Sequence, residues 1–80
     1  MKPSFGRKAI KFLSRCGEKE RGRLVEAIGE LPDKGDIRKL RGQVIKDSFR
    51  LRVGKYRIIF AWAGDKIKII KIDTRGDVYK

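Results

Sequence analysis

Phe49-Arg50-Leu51-Arg52-Val53-Gly54-Lys55-Tyr56-Arg57-Ile58-Ile59-Phe60-Ala61-Trp62 is the stretch from which the rest of this 80-residue chain is best read. Phe49, Leu51 and Val53 alternate with Arg50 and Arg52, the period-two pattern of a strand with one apolar face and one cationic face. Gly54-Lys55 is a two-residue turn of the Gly-X kind, which fits a hairpin. The returning strand, residues 56–62, puts Tyr56, Ile58, Phe60 and Trp62 on one face and Arg57, Ile59 and Ala61 on the other. A simple register through the turn pairs Val53 with Tyr56, Arg52 with Arg57 and Leu51 with Ile58. Arg52 and Arg57 then oppose each other across the sheet, which is unfavourable unless water or an anion lies between them.

Downstream, Ala63-Gly64-Asp65 turns the chain into a third strand over residues 66–73. Its second half is apolar on both faces, as in an internal strand. Upstream the period is 3.6. Residues 5–16 carry Ala9, Phe12, Leu13 and Cys16 on one stripe, with Arg7, Lys8, Lys11 and Arg15 mostly between them, and Gly17 stands where a helix C-cap belongs. Residues 18–31 repeat the pattern with Leu24, Ala27, Ile28 and Leu31. Glu18 and Glu20 favour the helix start, and Pro32 follows the end. Gly22 and Gly29 inside this helix each cost about 1 kcal/mol relative to alanine, which predicts close packing or fraying. Residues 32–36 are turn-rich. Residues 2–5 offer a short edge strand, although Pro3 lacks a ladder donor. The expected architecture is α+β: one domain over residues 1–80, with an N-terminal helical hairpin packed on a twisted antiparallel sheet of three to four strands.

Composition narrows the function. Lys and Arg number 22 against 10 Asp and Glu, a net charge of +12. A charge of that size favours a polyanionic or acidic partner, nucleic acid first. It marks no site, because residues 1–45 hold 12 basic and 6 acidic side chains (+6) and residues 46–80 hold 10 and 4 (+6). The lone cysteine precludes an intrachain disulfide, and the lack of histidine removes the usual zinc-ligand sets. No metal and no cofactor is expected. Cys16 reads as a small core residue, since no histidine is present to activate it. No apolar run approaches the roughly 20 residues of a membrane span, and no signal-like apolar core follows the basic start. The expectation is a reduced, cytoplasmic protein with no membrane association.

Arrangement singles out particular arginines. Arg50 and Arg52 share a face because residues two apart on a strand point the same way, and Arg57 joins them through the register. Arg75 and Tyr79 lie beyond the last strand, where Gly76 permits a bend that folds both back over the sheet. An arginine fork binds two phosphate oxygens at once, and a phenol stacks on an exposed RNA base. Tyr56, Phe60 and Trp62 alternate with Ile58 on the face that must cover the helices, so they are expected in the core and not on a base-stacking platform. The aspartates Asp33, Asp36, Asp65, Asp73 and Asp77 fall mainly in turns, and no metal-binding carboxylate pair is evident.

Three runs, Lys39-Leu40-Arg41-Gly42, residues 49–60 as quoted above, and Lys71-Ile72-Asp73-Thr74-Arg75-Gly76-Asp77-Val78-Tyr79-Lys80, resemble the RelE/ParE superfamily of bacterial and archaeal toxins. The helical hairpin before them fits too, so the resemblance covers nearly the whole chain. The RelE branch implies a strand, two helices and a three-strand meander, and cleavage of mRNA in the ribosomal A site. It implies catalytic roles for Arg50, Arg52, Arg57, Arg75 and Tyr79, RNA contacts from Lys39, Arg41, Lys46 and Lys55, and two kinds of partner: a cognate antitoxin, and mRNA with ribosomal RNA. The glycine-histidine that commonly precedes the last arginine is Asp73-Thr74 here. The implied chemistry is metal-independent attack of the ribose 2′-hydroxyl on the adjacent phosphate. Arginine stays charged and cannot take the proton, which leaves Lys55, Tyr79 or a ribosomal RNA group as acceptor. The superfamily also offers two other readings, a ParE-like gyrase inhibitor and a catalytically inactive RNA-binding relative.

Overall fold

The hairpin forms as its alternation dictates; the helices pack on its apolar face, and the other strands extend the sheet at its two edges. A computed structural model describes residues 3–39 and 48–74. In chain order the elements are β1 (Ser4–Phe5), α1 (Arg7–Arg15), α2 (Glu18–Gly29), β2 (Asp36–Lys39), β3 (Ser48–Val53), β4 (Tyr56–Ala63) and β5 (Lys66–Thr74). Among the described residues the strands make one five-stranded sheet ordered β1-β5-β4-β3-β2. β3 and β4 pair Val53 with Tyr56, Arg52 with Arg57 and Leu51 with Ile58. Gly54 takes φ 58° at the turn, a left-handed conformation that glycine adopts without steric cost.

The architecture is the expected α+β, but the sheet is larger than three to four strands and is mixed, not antiparallel. β2 emerges at the end of the stretch read as turn-rich. Its sequence Asp-Ile-Arg-Lys holds one apolar residue, too few for alternation to announce a strand, and it lies at the sheet edge. β1 pairs in parallel with β5, Ser4 with Lys68 and Phe5 with Ile69. The Gly6 N–H extends this contact by donating to the Ile69 carbonyl at 2.7 Å. A side chain at Gly6 would sit 3.1 Å from that oxygen and 3.3 Å from the Ile70 oxygen, so the close approach of the two backbones depends on glycine.

β5 contains the feature on which the outer face of the sheet depends. Phe60 pairs with Ile69 but Ile59 pairs with Lys71, so Ile70 is an extra residue, a β-bulge. The bulge reverses the alternation. Ile67 and Ile69 before it and Ile72 after it all join the core, while Lys71 and Asp73 come to the opposite face beside Ile59 and Arg57. What reads as a strand apolar on both sides is a single apolar row with one interruption.

The helices cover the Phe60 side. Ala9 of α1 and Leu24 and Ile28 of α2 close on Leu51, Ile58, Phe60 and Ile69, all essentially without solvent contact. Phe49 stacks on Phe60 (ring centroids 5.6 Å apart) and tilts against Trp62 (5.5 Å), while Phe12 meets Tyr56 edge-on at 5.9 Å. The aromatics of β4 are thus on the core side, as their alternation indicates. Both helices are shorter than the periodicity suggests. Cys16, not Gly17, caps the end of α1, and Gly17 is the extended N-cap of α2 (φ −65°, ψ 159°). A side chain supplies what a left-handed glycine would have supplied: Arg21 donates from Nε to the Leu13 carbonyl at 2.7 Å and from Nη2 to the Cys16 carbonyl at 3.0 Å. The Leu13 carbonyl lies in the last turn of α1 and the Cys16 carbonyl at its C-cap, so one guanidinium both caps α1 and fixes the hairpin. α2 ends at Gly29, with Glu30 as its C-cap. Gly22 and Gly29 are not sites of close packing; a Cβ at either position would meet nothing within 4 Å. No helix among the described residues is long and apolar enough to cross a membrane.

These environments predict opposite outcomes for two glycines. Gly22→Ala should stabilise the fold by about 0.5–1 kcal/mol, the helix-propensity difference in open space. Gly6→Ala should destabilise it, because backbone oxygens must give way. Urea denaturation of the three proteins checks both, and a Gly6→Ala protein as stable as the parent would refute the close approach of β1 to β5.

Candidate functional site

On the side of the sheet away from the helices, the registers define two rows of side chains. Across β2, β3, β4 and β5 the first row is Asp36, Arg52, Arg57 and Asp73; the second is Arg38, Arg50, Ile59 and Lys71. Paired residues on neighbouring strands share a face, so all eight lie together. Five cations against two carboxylates leave this patch at +3. Ile59 is 8% exposed yet stands outside the core cluster, and it forms an aliphatic floor between Arg50 and Lys71.

The repulsion between Arg52 and Arg57 is relieved from one end of the row. Arg57 donates from Nη2 to Asp73 Oδ2 at 3.0 Å, and their side chains are 22% and 35% exposed. At the other end Asp36 reaches diagonally to Arg50, with Oδ1 3.8 Å from Nη2, at 53% and 18% exposure. Arg52 is exposed and makes no ion pair among the described residues. Arg50 and Arg57 are therefore tucked against the sheet, not splayed into water. Both keep donors in reserve, for Arg50 Nη1 and Arg57 Nε are buried without a hydrogen-bond partner, and so is the acceptor Asp73 Oδ1. Buried polar atoms of this kind carry a desolvation cost, and their concentration on one patch fits a place where a ligand supplies the missing partners.

Of the residues singled out from the sequence, Arg50, Arg52 and Arg57 come together here. Lys39 does not. It pairs with Phe49 on β3 and so belongs to the helix side of the edge strand. Lys55 sits in the β3–β4 turn with Nζ 5.6 Å from the centroid of the Tyr56 ring, a cation–π contact on the core side of the hairpin. Arg41, Lys46, Arg75 and Tyr79 lie outside the described residues. The sequence does not single out the other four charged members of the patch. Arg38 and Asp36 sit on a strand that alternation did not announce. Lys71 and Asp73 would fall on the core face of an unbroken strand, and only the bulge moves them outward. The sequence groups Asp36 and Asp73 with the turn aspartates, but both are strand residues facing arginines. Among the described residues no three Asp, Glu or Cys side chains gather in one place.

A concavity of about 400 Å³ lies on the helix side. Phe12, Cys16 and Ile72 form its apolar floor and Lys8, Lys11 and Arg15 its rim. Cys16 lines it half-buried, with Sγ 3.4 Å from the Leu13 carbonyl oxygen.

No family model matches the chain, and no curated protein matches it. Solved structures do. The RelB–RelE antitoxin–toxin complex of Methanococcus jannaschii contains a chain of 29% identity and TM-score 0.76, the match covering 95% of this chain and 94% of that one. The RelE–RelB complex of Pyrococcus horikoshii OT3 gives 27% identity and a TM-score of 0.70, with 98% and 100% covered. The isolated RelE toxin of E. coli gives 22% and 0.70, with 95% and 87% covered. TM-scores of 0.70 to 0.76 with near-complete mutual coverage lead to one conclusion: the chain has a RelE-like toxin fold.

Proposed function

We propose that this chain is the toxin of a type II toxin–antitoxin pair and that it is a metal-independent endoribonuclease, cutting mRNA in the ribosomal A site in the cytoplasm. The observation that carries the reading is the convergence of Arg50, Arg52 and Arg57 on one face, two of them with buried donors unpaired. The 2′-oxygen of one nucleotide attacks the adjacent phosphorus in line, leaving a 2′,3′-cyclic phosphate and a 5′-hydroxyl. Negative charge gathers on the non-bridging oxygens as this happens. Guanidinium donors already held in place stabilise that charge without the reorganisation that solvent requires. Arg52, exposed, first meets the RNA backbone; Arg50 and Arg57, anchored by Asp36 and Asp73, hold the scissile phosphate. From the sequence, Arg75 is assigned to the leaving oxygen and Tyr79 to stacking on the base. Arg41, Lys46 and Lys55 are assigned to ribosomal RNA. Substrate placement by the ribosome contributes a further part of the acceleration, since positioning alone is worth roughly 7–11 kcal/mol in favourable cases.

The RelE structures that this fold matches include complexes with RelB antitoxins, which supports a cognate antitoxin as partner. The helix-side concavity, apolar beneath and cationic at its rim, suits an acidic amphipathic segment of that partner.

Four outcomes test the reading. Induced expression in a growing bacterium should generate new mRNA 5′ ends within translated codons, and these should vanish when initiation is blocked. Inhibition of gyrase supercoiling without new 5′ ends would replace the nuclease by a gyrase poison. With purified protein on programmed ribosomes, Arg57→Ala should lower kcat by about 10²–10³, the usual effect of removing one oxyanion donor. Arg52→Ala should act mainly on RNA affinity, reducing the slope of log K against log salt by about one. Excess EDTA, with the ribosomes kept intact by polyamines, should leave the cleavage rate unchanged.

A further inference from the structure

Asp73 contributes more to the outer face than an anchor for Arg57. The two side chains share one hydrogen bond, Nη2 to Oδ2 at 3.0 Å. A fork-on-fork guanidinium–carboxylate pair would make a second. Here the two atoms available for it, the donor Arg57 Nε and the acceptor Asp73 Oδ1, are each buried without a partner. The pair therefore carries one unmet donor and one unmet acceptor, on residues that face each other across β4 and β5. A phosphate oxygen only accepts, so seated at these two atoms it would satisfy Nε and be repelled by Oδ1; the scissile phosphate that Arg57 helps to hold lies off this edge, toward Arg52 and Arg50. An ammonium only donates. A hydroxyl does both through a single oxygen.

We infer that the Arg57–Asp73 pair is the seat of the ribose 2′-hydroxyl, which accepts from Arg57 Nε and donates to Asp73 Oδ1, and that Asp73 Oδ1 is the proton acceptor of the cleavage step. The assignment rests on the nuclease reading for its second half only. The placement is apt: Arg52 faces Arg57 directly and Arg50 is its diagonal neighbour on β3, so a phosphate adjoining the seated hydroxyl lies among the guanidinium groups. In the step, the O2′ proton moves to Oδ1, the O2′–P bond forms and the P–O5′ bond breaks. The 5′-oxygen leaves with a proton from water, and the carboxylic acid returns its own proton to solvent. Arg57 stays charged throughout and keeps the carboxylate oriented. Asp36 is the other carboxylate on this face. It is more exposed, 3.8 Å from its arginine, on the edge strand, and has no buried unpartnered oxygen.

The test compares binding of a short single-stranded RNA, before product accumulates, with binding of its 2′-fluoro copy, which keeps the sugar pucker but has no hydroxyl to donate. The parent protein should prefer the RNA by about 10-fold or more, the usual worth of a hydrogen bond to a charged group. Asp73→Ala should lower the ratio several-fold toward one, leaving only the contact from Arg57 Nε. Asp73→Asn retains an acceptor oxygen, so it should keep part of the preference while cleavage on ribosomes falls at least about 100-fold. Equal ratios for the parent and Asp73→Ala would overturn the hydroxyl seat, and full cleavage by Asp73→Asn would overturn the proton acceptor. Should Asp73→Ala not fold, as judged by thermal unfolding, cleavage by the near-isosteric Asp73→Asn decides. If the parent protein cuts no RNA, the nuclease reading and the proton acceptor fall with it, while the binding ratio still rules on the seat.

Discussion

One inserted residue in β5 governs what the outer face of this protein can be. The last strand must supply Ile67, Ile69 and Ile72 to a core closed by two short helices, and a strict two-residue alternation cannot place all three on one side. The bulge at Ile70 resolves the conflict by shifting the phase once. The same shift carries Asp73 out of the core and sets it against Arg57. Burial of apolar surface fixes the bulge, since a slip would expose isoleucine and bury a carboxylate. The charge pattern outside is thus held in place by hydrophobic packing inside.

That pattern is locally unfavourable and is tolerated because it is flanked. Two guanidinium groups face each other across β3 and β4, a disposition that costs stability in an antiparallel pair. Asp73 at one end of the row draws off part of the repulsion, Asp36 at the other end pairs with Arg50, and Ile59 lies beside Arg50 on the same face. What remains is a surface with net positive charge and several buried polar atoms without partners. A fold of 80 residues has little stability to spare, so a concentration of unmet hydrogen-bonding capacity on one patch is more economically explained by a ligand than by chance.

The helical hairpin completes the core and separates two surfaces of different chemistry. Arg21 closes the end of α1 and ties it to α2, and the cationic residues of α1 are exposed, three of them at the rim of the concavity. The concavity beside Phe12 and Ile72 lies on the opposite side of the sheet from Arg50, Arg52 and Arg57. A partner seated only there would leave the arginine face open. Neutralising that face requires a partner long enough to reach both sides, or a second contact.

Much was legible in the residues alone. Alternation and one glycine turn determined the β3–β4 hairpin, its register, and the opposition of Arg52 and Arg57. The 3.6-residue stripes determined two helices and the residues they bury. These signals are local, set by backbone periodicity and turn sterics within a dozen residues. Tertiary structure decided the rest. β2 has no pattern of its own and exists as a strand because β3 offers it an edge; β1 is two residues long and is held by β5 and the close approach at Gly6. The cap of α1 comes from a side chain in the next helix. Above all, the side of the sheet on which Asp73 lies depends on a bulge that no period in the chain encodes, because its cause is the competition of distant isoleucines for one core.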